Sequence, residues 1–313
     1  MPPAAPPAAG AVAVVVLNWN GGTDTLRCLR SLRAQEPDLH LIVVDNGSTD
    51  GSADDVEAEG LADEVIRAGE NLGYAGGNNL GLRRALTDGY DVVAVLNNDT
   101  YLERPVFGPL ASAVGQDPEL VLSPIIRYAD NDGIWFEGGV IDAGYPRHVQ
   151  PEELPRWQVV DNRRDADVLS GCCIVATAAT WRDVGVFDDG LFLLFEDSDW
   201  SLRARAAGRR LAVATDLEIR HAVSGSIRSP RTARLIAFYF GRNLIWFSRH
   251  HFPQSLPRLA RQWLGRPAGR AVLGREPCDD VFFRWLGALS GLVGQSGIAP
   301  RWVQRLARIR STG

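Results

Sequence analysis

Asp197, Asp99 and His221 are the residues of this chain best placed to do chemistry. Each belongs to a stretch whose neighbours give it a chemical role. LNND ends at Asp99, FEDSDW surrounds Asp197, and LEIRH ends at His221. Two acidic positions and one imidazole at the ends of strands can hold one divalent cation and place one general base. A cation and a base on opposite sides of a carbon that carries a diphosphate form the set needed to transfer a sugar from its nucleotide.

Elements that could position these groups are legible from the hydrophobic pattern. Ala11–Leu17 is a continuous apolar, β-branched run, the mark of a strand buried on both faces. Leu39–Val44 is a second such run, Glu64–Arg67 a short third and Asp91–Leu96 a fourth. Helices fall between them. Thr23 or Asp24 can cap one that carries Leu26, Leu29 and Leu32 on one side, another follows the loop Asp45–Ser52, and a third follows the glycine-rich loop Asn71–Gly77. This alternation predicts an α/β fold with a mostly parallel central sheet and helices on both faces. Ligands of such sheets bind beyond the carboxyl ends of the strands, where NWNG, DNGSTD and LNNDT stand.

Leu120–Val168 is less regular, and Gly138-Gly139, Pro146, Pro151 and Pro155 punctuate it into hairpins and a mobile loop. Gly171–Ala176 resumes an apolar strand and Ala178–Val184 a short helix. Asp197–Ala207 reads as a helix ended by Gly208, followed by two short strands, Leu211–Ala214 and Glu218–His221. From Arg231 onward the pattern is helical.

The net charge of −5 hides an asymmetry. Residues 1–226 hold 18 arginines against 35 acidic residues, whereas residues 227–313 hold 15 arginines against 3. The acidic body argues against a nucleic-acid partner; the basic tail calls for a partner of its own. All 33 basic residues outside histidine are arginine, a composition bias that gives a single arginine little weight. Cys28, Cys172, Cys173 and Cys278 make no CxxC pair, which disfavours structural zinc and a disulfide framework and suits a reducing, cytoplasmic setting. The opening residues lack a basic segment, and Ala11–Leu17 is too short to span a bilayer, so neither a signal peptide nor a membrane helix is expected.

With Asp45, Asn98, Asp99, Asp197 and His221 in view, the chain resembles glycosyltransferase family 2, inverting enzymes of the GT-A fold. The blocks that carry the resemblance run in order from about Val12 to Asn243: NWNG, VVDNGSTDGS, ENLGYAGGNNLGL, VLNNDT, GCCIVA and GVFDDGLFLLFEDSDWSLRARAAG. Within the family it looks most like the rhamnosyltransferase-like branch. The resemblance implies that Asn18, Asn20, Asp45, Gly73, Asn78 and Asn98 lie along the nucleotide, Asp45 accepting from a uracil or thymine imide and Asn98 touching the ribose. Asp99 and His221 would hold Mg²⁺ or Mn²⁺ at the diphosphate. The family's DxD-type motif is here Asn97-Asn98-Asp99, with amides at two of three positions. Asp197 would be the general base, with Glu196 the other carboxylate able to take that role; an Asp there is also an ordinary helix cap. Arg203 is open between a phosphate contact and a salt bridge. Trp19, Trp181 and Trp200 are open between sugar stacking and core.

The implied organisation is a leader over 1–10, a catalytic domain over 11–228 and a basic helical extension over 229–313. Within the catalytic domain, 11–100 is the nucleotide-binding half and 101–228 the acceptor half. The donor would be a UDP- or dTDP-sugar, with dTDP-rhamnose suggested by the branch. The acceptor would be a glycan, a lipid-linked glycan or a small molecule. Arg231–His251, rich in aromatics and arginine, has three roles open to it: packing on the catalytic domain, forming a homodimer seam, or lying on the inner face of a membrane without crossing it. Three rival functions remain, a nucleotidyltransferase, a non-catalytic sugar-nucleotide-binding module, and a structural scaffold using the basic tail, which would survive loss of Asp99, Asp197 and His221. The first lacks a GxGxR-like loop and any lysine; the second has no need of Asp99, Asp197 and His221 together.

Overall fold

The computed structural model describes residues 7–8, 10–223, 229–274 and 277–309, so the expected leader and the 228 boundary fall largely outside the described residues. The chain divides into two compact units: Met1–Val140, Arg147–Phe187 and Asp197–Ser224 in the first, and Ile141–Pro146, Asp188–Glu196 and Gly225–Gly313 in the second.

The first unit opens as the apolar runs require. Strands β1 (Val12–Asn18), β2 (His40–Asp45), β3 (Glu64–Arg67) and β4 (Val92–Asn97) alternate with helices α1 (Gly22–Gln35), α2 (Ser52–Glu59) and α3 (Gly73–Asp88). After β4 come β5 (Thr100–Tyr101), α4 (Phe107–Gln116), β6 (Leu120–Tyr128) and β7 (Ile134–Phe136). A two-stranded ribbon, β8 (Gly139–Asp142) and β9 (Tyr145–His148), precedes β10 (Val159–Val160), β11 (Arg163–Asp165) and β12 (Cys173–Thr177). Helices α5 (Ala178–Val184) and α6 (Glu196–Ala206) and the long strand β13 (Arg210–His221) complete the series.

The main sheet runs β10-β11-β13-β6-β12-β4-β1-β2-β3. β3, β2, β1 and β4 are parallel neighbours, as are β6 and β13, while β12 lies antiparallel between β4 and β6. Register aligns Asn18 with Asp45 and Leu17 with Asn97, so the polar residues closing β1, β2 and β4 share one edge. Val14–Val16, Leu41–Val44 and Val93–Val95 are fully buried, because helices cover both faces.

Three local readings are refined. The glycine-rich stretch is the start of α3 and not a loop before it: the helix begins at Gly73, whose φ of +79° suits glycine. A Cβ at Gly77 would meet Leu17 Cδ1 at 2.4 Å and one at Gly81 would meet Val15 Cγ1 at 2.3 Å, so these glycines let α3 lie close on β1. The two strands expected over 211–221 are one strand, with a register shift between Ala214 and Glu218 where the polar Thr215-Asp216 pair reads as a break. Trp181 and Trp200 are core: both are fully buried with ring centroids 4.3 Å apart, and they donate to the carbonyls of Val93 and Gly185. Trp19 is 40% exposed.

The second unit is built on α7 (Pro230–His251), followed by α8 (Leu256–Ala260), α9 (Arg266–Val272), α10 (Cys278–Leu292) and α11 (Arg301–Ile309). Phe192, Phe238, Tyr239, Phe283 and Val303 form its main core. Arg242 and Asn243, which interrupt the apolar run of α7, are buried within this unit. Asn243 Nδ2 lies 2.8 Å from the carbonyls of Leu191, Leu193 and Leu194, and Arg242 donates to those of Gly190, Leu191 and Gly297. Phe192, Leu194 and Phe195 have positive φ, so this stretch forms no regular helix or strand ladder, and side-chain donors complete the pairing of its carbonyls. Burial pulls the Arg242 guanidinium down to about 10. No helix among the described residues is long and apolar enough to cross a membrane.

α10 crosses α7 at backbone contact, because a Cβ on Gly241 would meet the Arg284 carbonyl oxygen at 1.9 Å and one on Gly287 that of Phe238 at 1.9 Å. Gly241→Ala is therefore expected to destabilise the second unit by about 1–3 kcal/mol through overpacking. Gly115→Ala, at a helical position with nothing within 4 Å, should be neutral or stabilising by under about 1 kcal/mol. Urea unfolding of both variants beside the parent measures the difference.

Candidate active site

The carboxyl edge of β1, β2 and β4 is tied together by one amide. Asn18 is fully buried; its Oδ1 accepts from Thr25 Oγ1 at 2.8 Å and from the Gly21 N–H at 3.2 Å. Its Nδ2 donates to Ser52 Oγ at 2.8 Å and Ser48 Oγ at 3.2 Å, and lies 3.5 Å from Asp45 Oδ1. Asp45 Oδ1 also accepts from the Ser48 N–H at 3.2 Å, the turn typical of Asp in such a loop. Its other oxygen has no partner among the described residues and keeps its acceptor capacity. Asn20, at φ +52°, accepts from the Thr49 N–H at 2.8 Å and so pins the second loop to the first. Asn98 Nδ2 donates to Thr25 Oγ1 at 2.7 Å, which joins the end of β4 to the same network. Gly21 has no room for a Cβ, since one would meet Asn98 Nδ2 at 2.1 Å.

Gly73 sits at the start of α3, its N–H bonded to Asn71 Oδ1 at 2.8 Å and its carbonyl to Asn46 Nδ2 at 3.0 Å. Asn78, one turn on, spends its Nδ2 on the Tyr74 carbonyl at 2.9 Å, while its buried Oδ1 has no hydrogen-bond partner among the described residues. Within a buried site an acceptor left in this way costs about 1–3 kcal/mol, which a donor on a ligand would recover.

β13 returns alongside β5, pairing His221 with Thr100, and the Ala222 N–H donates to the Asp99 carbonyl at 2.8 Å. This ladder brings His221 Nε2 within 3.0 Å of Asp99 Oδ1. The imidazole is 5% exposed, its Nδ1 is buried without a partner among the described residues, and its ring makes a T-shaped contact with that of Trp135, centroids 4.6 Å apart.

Asp197 lies in the first turn of α6. Its Oδ1 accepts from the Ser198 N–H at 2.6 Å and Oγ at 3.1 Å, and its Oδ2 from the Gly171 N–H at 2.9 Å. Gly171 is a node: its carbonyl accepts from Tyr74 Oη at 2.5 Å, and the next carbonyl, that of Cys172, accepts from the Asn97 N–H at 2.9 Å. One short segment thus links α6, α3 and the end of β4, two residues before Asp99. Glu196, the first residue of α6, is buried. Arg203 takes the salt-bridge reading, to Asp199 Oδ2 at 2.9 Å, and donates to the carbonyls of Val184 and Val186.

Two residues had no sequence signal, Trp135 and His148. His148 closes β9 and packs edge-on against Trp135 and Phe136, each at 5.1 Å, while its Nδ1 is 3.0 Å from the Trp135 carbonyl. A carbonyl only accepts, so Nδ1 carries the proton and Nε2 is left as the acceptor. Trp135 therefore packs against both His221 and His148, and Asp197 is near enough to His148 to act on its charge. Both residues lie in the irregular segment between prolines, where no periodicity marks a site.

With this geometry in place, comparison with known proteins decides the family. The description of Glycosyl transferase family 2 matches residues 13–178. The chain belongs to glycosyl transferase family 2. Family membership and the sheet topology bear out the expected GT-A fold. Among relatives, an uncharacterised protein of Mycobacterium tuberculosis is 31% identical over 165 residues, 51% of this chain and 57% of the relative. The chain thus spans little more than half the length of that relative. The N-acetylglucosaminyl-diphospho-decaprenol L-rhamnosyltransferase of the same species is 25% identical over 260 residues, 76% of this chain and 84% of the relative. A structure of GalNAc-T7 with UDP, GalNAc and Mn²⁺ superposes with a TM-score of 0.58 at 16% identity, covering 75% of this chain and 50% of that one.

Packing against Trp135 and Phe136 lowers the His148 midpoint below its usual 6.5, partly offset by its bond to the Trp135 carbonyl and by the Asp197 charge. An imidazole whose folded midpoint lies below its unfolded one costs stability as pH falls through about 6.5. Heteronuclear NMR should find the His148 midpoint below 6.5, and His148→Phe should lessen the loss of melting temperature on acidification through that range. A midpoint at or above 6.5 would contradict the packing argument.

Proposed function

We propose that this family 2 protein transfers a sugar, with inversion, from a UDP- or dTDP-sugar to a hydroxyl, with Asp197 as general base. The observation that carries this reading is the 3.0 Å approach of His221 Nε2 to Asp99 Oδ1 at the end of the sheet where Asn18, Asp45 and Asn98 are tied together. Ligands on adjacent corners of an octahedral Mg²⁺ or Mn²⁺ stand about 3 Å apart, so this pair fits one edge of such an ion. No group of three or more His, Cys, Asp or Glu among the described residues could hold a metal, so the remaining corners would fall to phosphate oxygens and water. When bound, the cation supplies positive charge to the departing diphosphate.

The chain's own groups do the rest. The open carboxylate oxygen of Asp45 accepts from the base imide, and the network through Asn18, Asn20 and Asn98 fixes the loops that receive the nucleotide. Asp197 Oδ2 retains one lone pair beyond that engaged by Gly171, and it takes the proton of the acceptor hydroxyl. The hydroxyl oxygen bonds to the anomeric carbon as the bond from that carbon to the diphosphate oxygen breaks, its electron pair leaving with the nucleotide. Attack from the face opposite the leaving group inverts the centre. The 25% identical relative supports rhamnose as the sugar and a lipid-linked glycan as the acceptor. Four unpaired cysteines, three of them buried, suit action in the cytoplasm.

Asp197→Asn should lower transfer by about 10²–10⁴-fold while nucleotide-sugar binding, read by thermal stabilisation with Mn²⁺, stays at the parental level. Loss of transfer in Glu196→Gln with an active Asp197→Asn would move the base to Glu196. Release of pyrophosphate in place of UDP or dTDP would make the protein a nucleotidyltransferase, and donor binding with no release would make it a binding module.

A further inference from the structure

The aromatic, basic helix that the sequence marks for a partner, α7, uses its apolar residues internally: Phe238, Tyr239, Leu244, Ile245 and Phe247 are all buried. The exposed apolar surface of this unit lies on α10. At 100° per residue, Phe282, Trp285, Leu289, Leu292 and Val293 fall within an arc of about 100°. All five are exposed, Leu289 by 54%, Leu292 by 51% and Val293 by 82%. The opposite arc, with Phe283, Gly287, Ala288 and Gly291, is the one buried against α7. A helix that packs by one face shows polar residues on the other; this one is apolar on both. Beyond Val293 the chain exposes Ile298 by 53% and Trp302 by 57%.

The charge that follows this surface along the chain has one sign. After Asp280 the chain holds five arginines and no acidic residue. Arg301, Arg305 and Arg308 are exposed on α11 beside Trp302, and Arg249 donates to the Leu292 carbonyl at 3.1 Å, which seats a cation at the end of the stripe. The two carboxylates of α10, Asp279 and Asp280, stand in its first turn, and Asp279 is paired with Arg234 at 2.6 Å.

We propose that the outer face of α10, with the arginines of α11, docks the protein on an anionic lipid surface, its apolar stripe entering the headgroup boundary without crossing the bilayer. Apolar side chains insert, tryptophans sit at the interface and arginines meet lipid phosphates, the combination that holds an interfacial helix. A second copy fits less well, because a two-fold seam would bring arginine against arginine, with carboxylates only in the first turn of α10. This inference is independent of the transfer reading, since vesicle binding uses neither Asp197 nor the nucleotide site.

The test is flotation of the full chain with phosphatidylcholine vesicles, with and without phosphatidylglycerol. The parent should float with the anionic vesicles, less so at high salt, and poorly with phosphatidylcholine alone. Leu289→Asp/Leu292→Asp should weaken binding about tenfold or more, and Arg301→Gln/Arg305→Gln/Arg308→Gln should weaken it on anionic vesicles specifically. Unchanged far-ultraviolet dichroism and melting, expected for exposed positions, would confirm that these variants fold. No flotation by the parent, or equal flotation by the leucine variant, would overturn the proposal. A concentration-dependent dimer in sedimentation velocity that the leucine variant abolishes would also overturn it and give the face to a second copy.

Discussion

The ladder between β13 and β5 is the constraint on which this site depends. Arg220 pairs with Tyr101 and His221 with Thr100, and the Ala222 N–H closes on the Asp99 carbonyl. Backbone hydrogen bonds fix both chains to within tenths of an ångström, so the side chains of Asp99 and His221 meet by register and need no flexible reach. β13 is itself held along nearly its whole length by parallel pairing to β6. Sliding β13 by one residue would turn His221 to the opposite face of the sheet and leave Asp99 facing Arg220 or Ala222.

Around this pair the molecule satisfies irregular backbone with buried side-chain amides. Asn18 spends both ends of its amide on loops that follow β1 and β2, and Asn46 does the same for the residues that open α3, accepting from the Leu72 N–H and donating to the Gly73 carbonyl. In the second unit Asn243 and Arg242 supply donors to carbonyls of a stretch with left-handed residues. These side chains look alike in sequence, as polar residues near apolar runs. Their roles differ only because each reaches a backbone group that no helix or strand can pair.

Much of the fold was legible because buried parallel strands leave a strong record: Ala11–Leu17, Leu39–Val44 and Asp91–Leu96 are apolar without alternation, and each became a strand covered on both faces. The glycines of α3 were harder to read. A glycine-rich stretch before a helix and a glycine-rich helix start look the same in sequence, and only the closeness of Val15 and Leu17 distinguishes them. Trp181 and Trp200 were equally open, and the core claimed both. Trp135 and His148 left no trace, since their importance lies in contacts across an irregular segment to His221 and near Asp197.

By itself the sequence determined which groups are available, one carboxylate closing LNND, one at the start of a helix and one imidazole closing a strand, and that they sit at element ends. Local pattern suffices for that, because hydrophobic periodicity and caps act over a few residues. Only the tertiary structure decided which of these groups touch, that Asp45 keeps an acceptor open while Asn18 is saturated, and that the exposed apolar face belongs to α10 and not to α7. Those outcomes rest on strand register and on glycine-mediated helix contact, and both are fixed by segments far apart in the chain.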